Sequence, residues 1–252
     1  LSAPTAKDII IQPISSAAAN EAVRRIHYSG KSVNNSQLHL GAFLGGKLEG
    51  VMSFGCPMDK RKSIALVPGT LWNGMLELNR MAFSEKLPRN SESRALAVAF
   101  RMIRKHYPHI EWILSFSDGT QCGDGAIYRA SGFVLTGISK NKSLLQMPDG
   151  SIIANKTLNN PNHIAANGKS GASAAKAAGA RPLPGYQMRY VYFLNPDAAS
   201  RLSVPVVPFS QIEALGAGMY KGQKITRAKQ QEPEFPSGLG GATPTCTLHS
   251  SG

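Results

Sequence analysis

The chain has 252 residues, 42% of them hydrophobic and 17% charged, enough for one sizeable core and incompatible with a wholly disordered chain. Lys and Arg number 28 against 15 Asp and Glu, and the formal net charge of +13 is spread, +7 up to residue 150 and +6 beyond it. Positive charge distributed in this way suits a polyanionic partner, because each neutralised phosphate releases a counterion, and the absence of any apolar run of about 18 residues excludes a membrane-spanning helix.

Period and punctuation then give an alternating pattern of elements. Residues Asp8 to Ile14 read as a short strand, and Ser15 or Ser16 caps a helix through Ala17–Ile26. Two apolar runs, Leu38–Leu44 and Leu48–Phe54, flank Gly45-Gly46-Lys47 as a hairpin. Met75–Phe83 alternates as a strand. Ser91 or Ser93 opens an amphipathic helix, Ala95–His106, that stops at Tyr107-Pro108. Trp112–Phe116 is a buried strand, Gly125–Ala130 a short helix and Phe133–Ile138 a strand; Asp149-Gly150 turns between Leu144–Met147 and Ile152–Lys156. Residues 159–180 show no apolar period and read as a flexible insertion. Tyr186–Leu194 is a late strand. The alternation predicts an α/β fold, a mixed twisted sheet with helices on both faces, over residues 1–196. Residues 197–252 are expected to form a basic, largely extended or disordered C-terminal extension with one short helix around Gln211–Ala214, and disorder from about Gln230 onward. The start of the chain lacks the basic and apolar blocks of a secretory signal, and Cys56, Cys122 and Cys246 are too scattered for a disulfide framework or a zinc knuckle, so a reducing cytosolic setting is expected.

The element order resembles the GNAT acyltransferase fold. Four blocks narrow the resemblance: Ile26-His27-Tyr28-Ser29-Gly30, Glu77-Leu78-Asn79-Arg80, Ser115-Phe116-Ser117-Asp118 and Pro184-Gly185-Tyr186-Gln187 with Arg189-Tyr190. Together and in this order they resemble the Mom family of phage DNA-modification proteins. The resemblance implies a transferase that converts adenine in double-stranded DNA to a carbamoylmethylated base and protects that DNA from host restriction, in the cytoplasm of an infected bacterium. It implies double-stranded DNA and a small-molecule donor as partners, and a homodimer is compatible with it. The chain departs from GNAT relatives in one place. Where those carry a glycine-rich phosphate loop before the central helix, residues 87–94 read LPRNSESR, without glycine. Ser93, Arg89 and Arg94 remain as anion-binding candidates there, and acetyl-CoA use is placed in question.

Within these blocks, His27 and Tyr28 leave the first helix together, although a bare His-Tyr pair is uninformative on its own. Asp118 ends a buried strand, where open α/β sheets bind ligands; an N-cap or an Asp-Gly turn is the alternative. The three form a set of nitrogen and oxygen donors suited to a first-row metal, and the Mom resemblance points to iron. Without a metal, Asp118 is the candidate base for adenine's exocyclic amine. Strict alternation puts Glu77, Asn79 and Met81 on one face and Arg80 on the other. Arg80 reads as an anion clamp, or as half of a buried pair with an acid such as Asp118. Tyr128 reads as a general acid, a stacking face for a flipped base or a core tyrosine. Lys60, Arg61 and Lys62 in a loop, Lys140, Lys142 and Arg189, with Arg101, Arg104, Lys105 and the tail cations Lys221, Lys224, Arg227 and Lys229, are candidates for the DNA backbone. Tyr186 and Tyr190 would add stacking faces beside them. The rival functions are a conventional acetyltransferase and a non-catalytic DNA-binding protein.

Overall fold

The computed structural model describes residues 3–32, 34–162, 164, 171–220 and 222–224. Seven strands form the main sheet in the order β1-β2-β3-β4-β5-β10-β6: β1 Ile10–Pro13, β2 Ser36–Leu44, β3 Lys47–Gly55, β4 Met75–Phe83, β5 Trp112–Gly119, β6 Val134–Lys140 and β10 Tyr186–Phe193. All neighbours pair antiparallel except β4 and β5. The β2–β3 hairpin turns at Gly45 and Gly46, both with positive φ, as a tight turn of this kind requires.

Helix α1 (Ser16–Ile26), capped by the Ser15 hydroxyl, packs Ala19, Ala22 and Val23 on Val51 and Ala82 of one sheet face. On that face a second cluster joins Met75, Trp112, Leu114 and Val191 to Leu66, Val67 and Ala198. The opposite face carries the main core. There Ala95, Leu96, Ala99, Phe100 and Ile103 of α3 (Ser91–His106) meet Leu78, Ile113, Met188 and Tyr190. Helices lie on both faces, as the alternation predicted.

The parallel pair positions the site. β4 and β5 share only Met75–Trp112, Leu76–Ile113 and Glu77–Leu114. Beyond these rungs β4 follows β3 while β5 follows β10, and the strands part. At the same point β4 bulges: Phe54 faces Leu78 and Ser53 faces Arg80, so Asn79 is the extra residue. The bulge corrects the strict alternation expected for this strand. Leu76, Leu78, Met81 and Phe83 all serve the α3 core, and Ala82 serves the opposite cluster with α1.

Several other expectations are revised. Helix α3 does begin at Ser91, but as its first residue and not as its cap: the N-cap is Asn90, left-handed at φ 68°. Asn90 is the only non-glycine residue at positive φ among the described residues, so the backbone turn that a glycine would make is made here by an asparagine. Lys60, Arg61 and Lys62 lie on a one-turn helix, α2 (Lys60–Ile64), capped by Asp59, and not in an irregular loop. β5 runs past Phe116 and includes Asp118. The short helix after it is α4 (Ala126–Ala130). Between β6 and β10 a small second sheet forms, in the order β8-β7-β9 (Ile152–Ala154, Leu144–Gln146, Arg181–Pro182), with α5 (Asn155–Leu158). Within the stretch read as a featureless insertion, α6 (Gly171–Ala177) packs Ala172 and Ala175 with Leu145 and Leu158. Its apolar side is made of alanines, which a hydrophobic-period search passes over.

The first part of the extension carries the short helix expected near Gln211–Ala214 and has further ordered elements around it. A 3-10 helix (Pro196–Arg201), α7 (Ser210–Ala214) and the hairpin β11–β12 (Met219–Tyr220, Gln223–Lys224) follow the sheet, and Ile212 and Ala217 enter the main core. Lys221, Arg227, Lys229 and His163 lie outside the described residues. No helix among the described residues is long and apolar enough to cross a membrane.

Candidate active site

Helix α1 ends at Ile26 and its next residues cross the gap between β4 and β5. The Tyr28 hydroxyl donates to Asp118 Oδ2 at 3.0 Å, joining positions 90 residues apart. The other carboxylate oxygen, Oδ1, accepts the Thr120 N–H at 2.9 Å and the Thr120 hydroxyl. The turn-forming role weighed for this aspartate is therefore real, and it leaves the Oδ2 side facing the tyrosine. The Cys122 and Gly123 amides, each at 3.0 Å from the Asp118 carbonyl, tighten the same loop.

Tyr28 keeps 53% of its surface exposed, yet its hydroxyl end is enclosed. Burial of that end, then the Asp118 charge, push its ionisation well above the ordinary phenol range. The His27 ring lies 4.3 Å from that of Tyr28. Its Nδ1 accepts the Ser29 N–H at 3.1 Å and meets the Ser29 hydroxyl at 2.8 Å, which leaves the neutral ring's proton on Nε2. Burial, followed by the nearby Arg80 charge, lowers the His27 pKa to about 4, with Asp118 opposing.

Arg80 reaches the same hollow from β4. Its Nε donates to the Lys31 carbonyl at 3.0 Å and one terminal nitrogen to the Asn79 carbonyl at 3.2 Å. Among the described residues no carboxylate lies within 4.0 Å of it, so it is not half of a buried pair with Asp118. Its charge is held by backbone dipoles and stays available to an anion. Glu77, at the last shared rung, has its pKa raised by burial, with the Asn79 side chain, Lys156 and Arg80 opposing.

Residues 27–28, 80 and 118 thus converge, and two of their neighbours are not evident from the sequence blocks. Thr120 orients the Asp118 carboxylate, a role its position two residues later would have signalled. Cys122 is exposed beside it, with a thiol pKa raised by burial and by Asp118. Tyr128 is 8% exposed with its ring in the main core, ring centroids 5.1 Å from Phe133 and 5.2 Å from Tyr190, while its hydroxyl end faces Ser115 and feels the Cys122 and Glu77 groups at the site; burial first, then those neighbours, push its phenol up to about 12, with Ser115 opposing. Tyr190 is fully buried and offers no stacking face.

The metal expectation gains no support from this arrangement. The phenol donates to the carboxylate as a neutral group, and His27 Nδ1 is occupied by Ser29. Among the described residues no three His, Cys, Asp or Glu side chains are grouped to hold an ion. At the start of α3 the picture differs. Ser91 Oγ and Arg94 Nε are buried and without hydrogen-bond partners, Arg89 is exposed, and the Ser93 hydroxyl turns back to the Asn90 carbonyl at 3.1 Å. Free donors at a helix N-terminus suit an anion. The remaining basic candidates Lys62, Lys140 and Lys142 are exposed with Arg61, whereas Lys60 lies over the Trp72 ring at 4.8 Å and Arg189 is tied to Thr136.

These features define an α/β protein with a tyrosine–aspartate pair and an arginine set where two parallel strands part. The chain belongs to the Mom protein family, whose model matches residues 8–211. It is 37% identical over 199 residues to the methylcarbamoylase mom of Escherichia phage Mu, covering 78% of this chain and 80% of that protein. Among solved structures it is similar to the IAA acetyltransferase from Bacillus cereus (12% identity, TM-score 0.41, 73% of this chain and 99% of that one). A GNAT-family acetyltransferase from Streptococcus pneumoniae gives 11% identity and a TM-score of 0.42, with 73% and 98% covered.

Proposed function

We propose that this protein is a DNA-modification transferase that adds a carbamoylmethyl-type group to the exocyclic amine of adenine in double-stranded DNA. The relative of phage Mu is named a methylcarbamoylase, and that supports the group transferred. The observation that carries the reading is the Tyr28–Asp118 hydrogen bond at the mouth of the strand gap.

Adenine's amino lone pair is delocalised into the ring, so the amine is a poor nucleophile until its proton has somewhere to go. Asp118 supplies that acceptor. As the amine nitrogen forms its bond to the methylene carbon of the transferred group, the bond from that carbon to the rest of the donor breaks, the donor remnant leaves with the electron pair, and the N–H proton passes to Asp118. The Tyr28 hydroxyl and the Thr120 donors hold the carboxylate in place until then. Arg80 stabilises negative charge on the donor or on the target phosphate. An anionic part of the donor would be held by Ser91 and Arg94, with Arg89 at the rim. A base stacked in a duplex cannot reach Asp118, so adenine must be extruded, with the exposed lysines and Arg61 gripping the backbone.

Nucleoside mass analysis of plasmid DNA from bacteria producing the protein tests this. A modified deoxyadenosine is expected in cells with the native protein and not with Asp118→Asn. Unmodified DNA alongside abundant soluble native protein overturns the reading.

A further inference from the structure

Phe116 lies in the middle of β5, a central strand flanked by the rest of the sheet, and still keeps 47% of its surface exposed. Its strand neighbours Trp112, Ile113, Leu114 and Ser115 are fully buried. It joins none of the hydrophobic clusters. A large aromatic displayed on an interior strand forfeits the gain of burial, and nothing in the packing asks for it.

The period of the strand says which face it is on. Trp112 and Leu114 belong to the cluster on the α1 face, while Ile113 belongs to the α3 core, so Phe116 and Asp118 both project on the α1 face. Two strand residues separate their backbones by about 7 Å, close to the long dimension of a purine. Directly across the ladder, Phe116 is paired with Arg189, which shares that face. The Arg189 guanidinium is fixed by bonds from Nε to the Thr136 hydroxyl at 3.0 Å and from a terminal nitrogen to the Thr136 carbonyl at 2.8 Å. No carboxylate pairs with it among the described residues.

We infer that Phe116 is the platform on which the extruded adenine stacks, with Arg189 beside it for the phosphate of the same nucleotide. A purine laid flat on the ring directs its amino edge along the strand toward Asp118 and Tyr28, so one surface both captures the base and orients the atom that reacts. The inference rests on the adenine reading above. Neither the basic surface nor the tyrosine–aspartate pair explains by itself how a base would be held.

The test compares Phe116→Ala, Phe116→Leu, Phe116→Tyr and Phe116→Trp in two measurements. In cells, modified deoxyadenosine should fall roughly ten- to hundredfold with Ala, fall less with Leu and be retained with Tyr or Trp, because every aromatic offers a stacking face. In vitro, the Phe116→Trp protein should lose tryptophan emission on binding a short single strand that contains one deoxyadenosine, and an abasic nucleotide at that position should abolish the loss. Duplex affinity of Phe116→Ala should stay within about threefold of native, since the DNA backbone supplies most of it. Native-level modification with Phe116→Ala, or a loss that Tyr and Trp do not rescue, overturns the platform and leaves the transferase reading standing. Absence of modified deoxyadenosine with the native protein overturns the transferase reading, and an unquenched Phe116→Trp then removes the platform too.

Discussion

The Tyr28 phenol and the Asp118 carboxylate meet at 3.0 Å although one leaves a helix on the sheet's face and the other ends a strand within it. Their hydrogen bond spans the gap between β4 and β5 and ties the helix exit to the strand end that holds the candidate base.

Asp118→Asn keeps the shape and removes the proton acceptor, so modification should drop by about 100-fold or more. Tyr28→Phe removes one of the donors to Asp118 and leaves Thr120 in place, so its loss should be nearer tenfold. Modified-nucleoside yields per unit of soluble protein distinguish the two; equal and full activity of both variants removes Asp118 from the mechanism.

His27 binds its proton less tightly in the fold than in the open chain, with a pKa of about 4 against the usual 6.5. The unfolded state therefore takes up a proton first as the pH falls. His27's contribution to stability is whole above about pH 6.5 and is lost between there and pH 4. Melting temperatures of the native protein should decline across that window, and those of His27→Asn should decline less.

Arg80 depresses the His27 pKa through space. Replacing it with Gln should raise that pKa, read from the imidazole proton shifts in NMR, and should weaken whichever anion it holds, seen as a higher donor KM. A His27 titration unmoved by Arg80→Gln would place the guanidinium farther from the site than its bond to the Lys31 carbonyl puts it.

Ile212 is 1% exposed although it lies on a helix of only five residues in the extension. Ile212→Ala should cost about 2–4 kcal/mol in urea unfolding. The same segment ties down the loop after Asp118: the Gly222 amide donates to the Cys122 carbonyl at 2.7 Å and the Asp124 amide to the Met219 carbonyl at 2.9 Å. Truncation before residue 210 should therefore lower both stability and activity, with circular dichroism melts and nucleoside yields as the two readouts.

Neutralising Lys60, Arg61 and Lys62 together should flatten the salt dependence of duplex binding by about 0.9 in log–log slope for every phosphate that these cations had neutralised. The slope should not change if these three cations face solvent alone, which fluorescence anisotropy across a salt series decides.

The hairpin, the central helix and the late strand were legible in the sequence because each has a strong apolar period between sharp breaks. The His27–Tyr28, Arg80 and Asp118 blocks were legible as a set, and their convergence is what the parting strands produce. The facing of Arg80's strand was not legible, since a bulge at Asn79 resets the alternation without leaving any composition signal. The sequence could not show that the Tyr128 ring packs on Phe133 while its hydroxyl end faces Ser115 and the Cys122 and Glu77 groups. The helix Gly171–Ala177 was hidden by alanine, which fills a small gap as well as leucine fills a large one but scores weakly as hydrophobic.

Three rungs between β4 and β5 are all that join the half of the sheet carrying Arg80 to the half carrying Asp118. The molecule is built like a jaw: the sheet is continuous at the joint, and the teeth belong to different bones. Tyr28 follows the helix packed on the first half and bonds to the second, so the Tyr28–Asp118 bond bridges the two halves past their last shared rung.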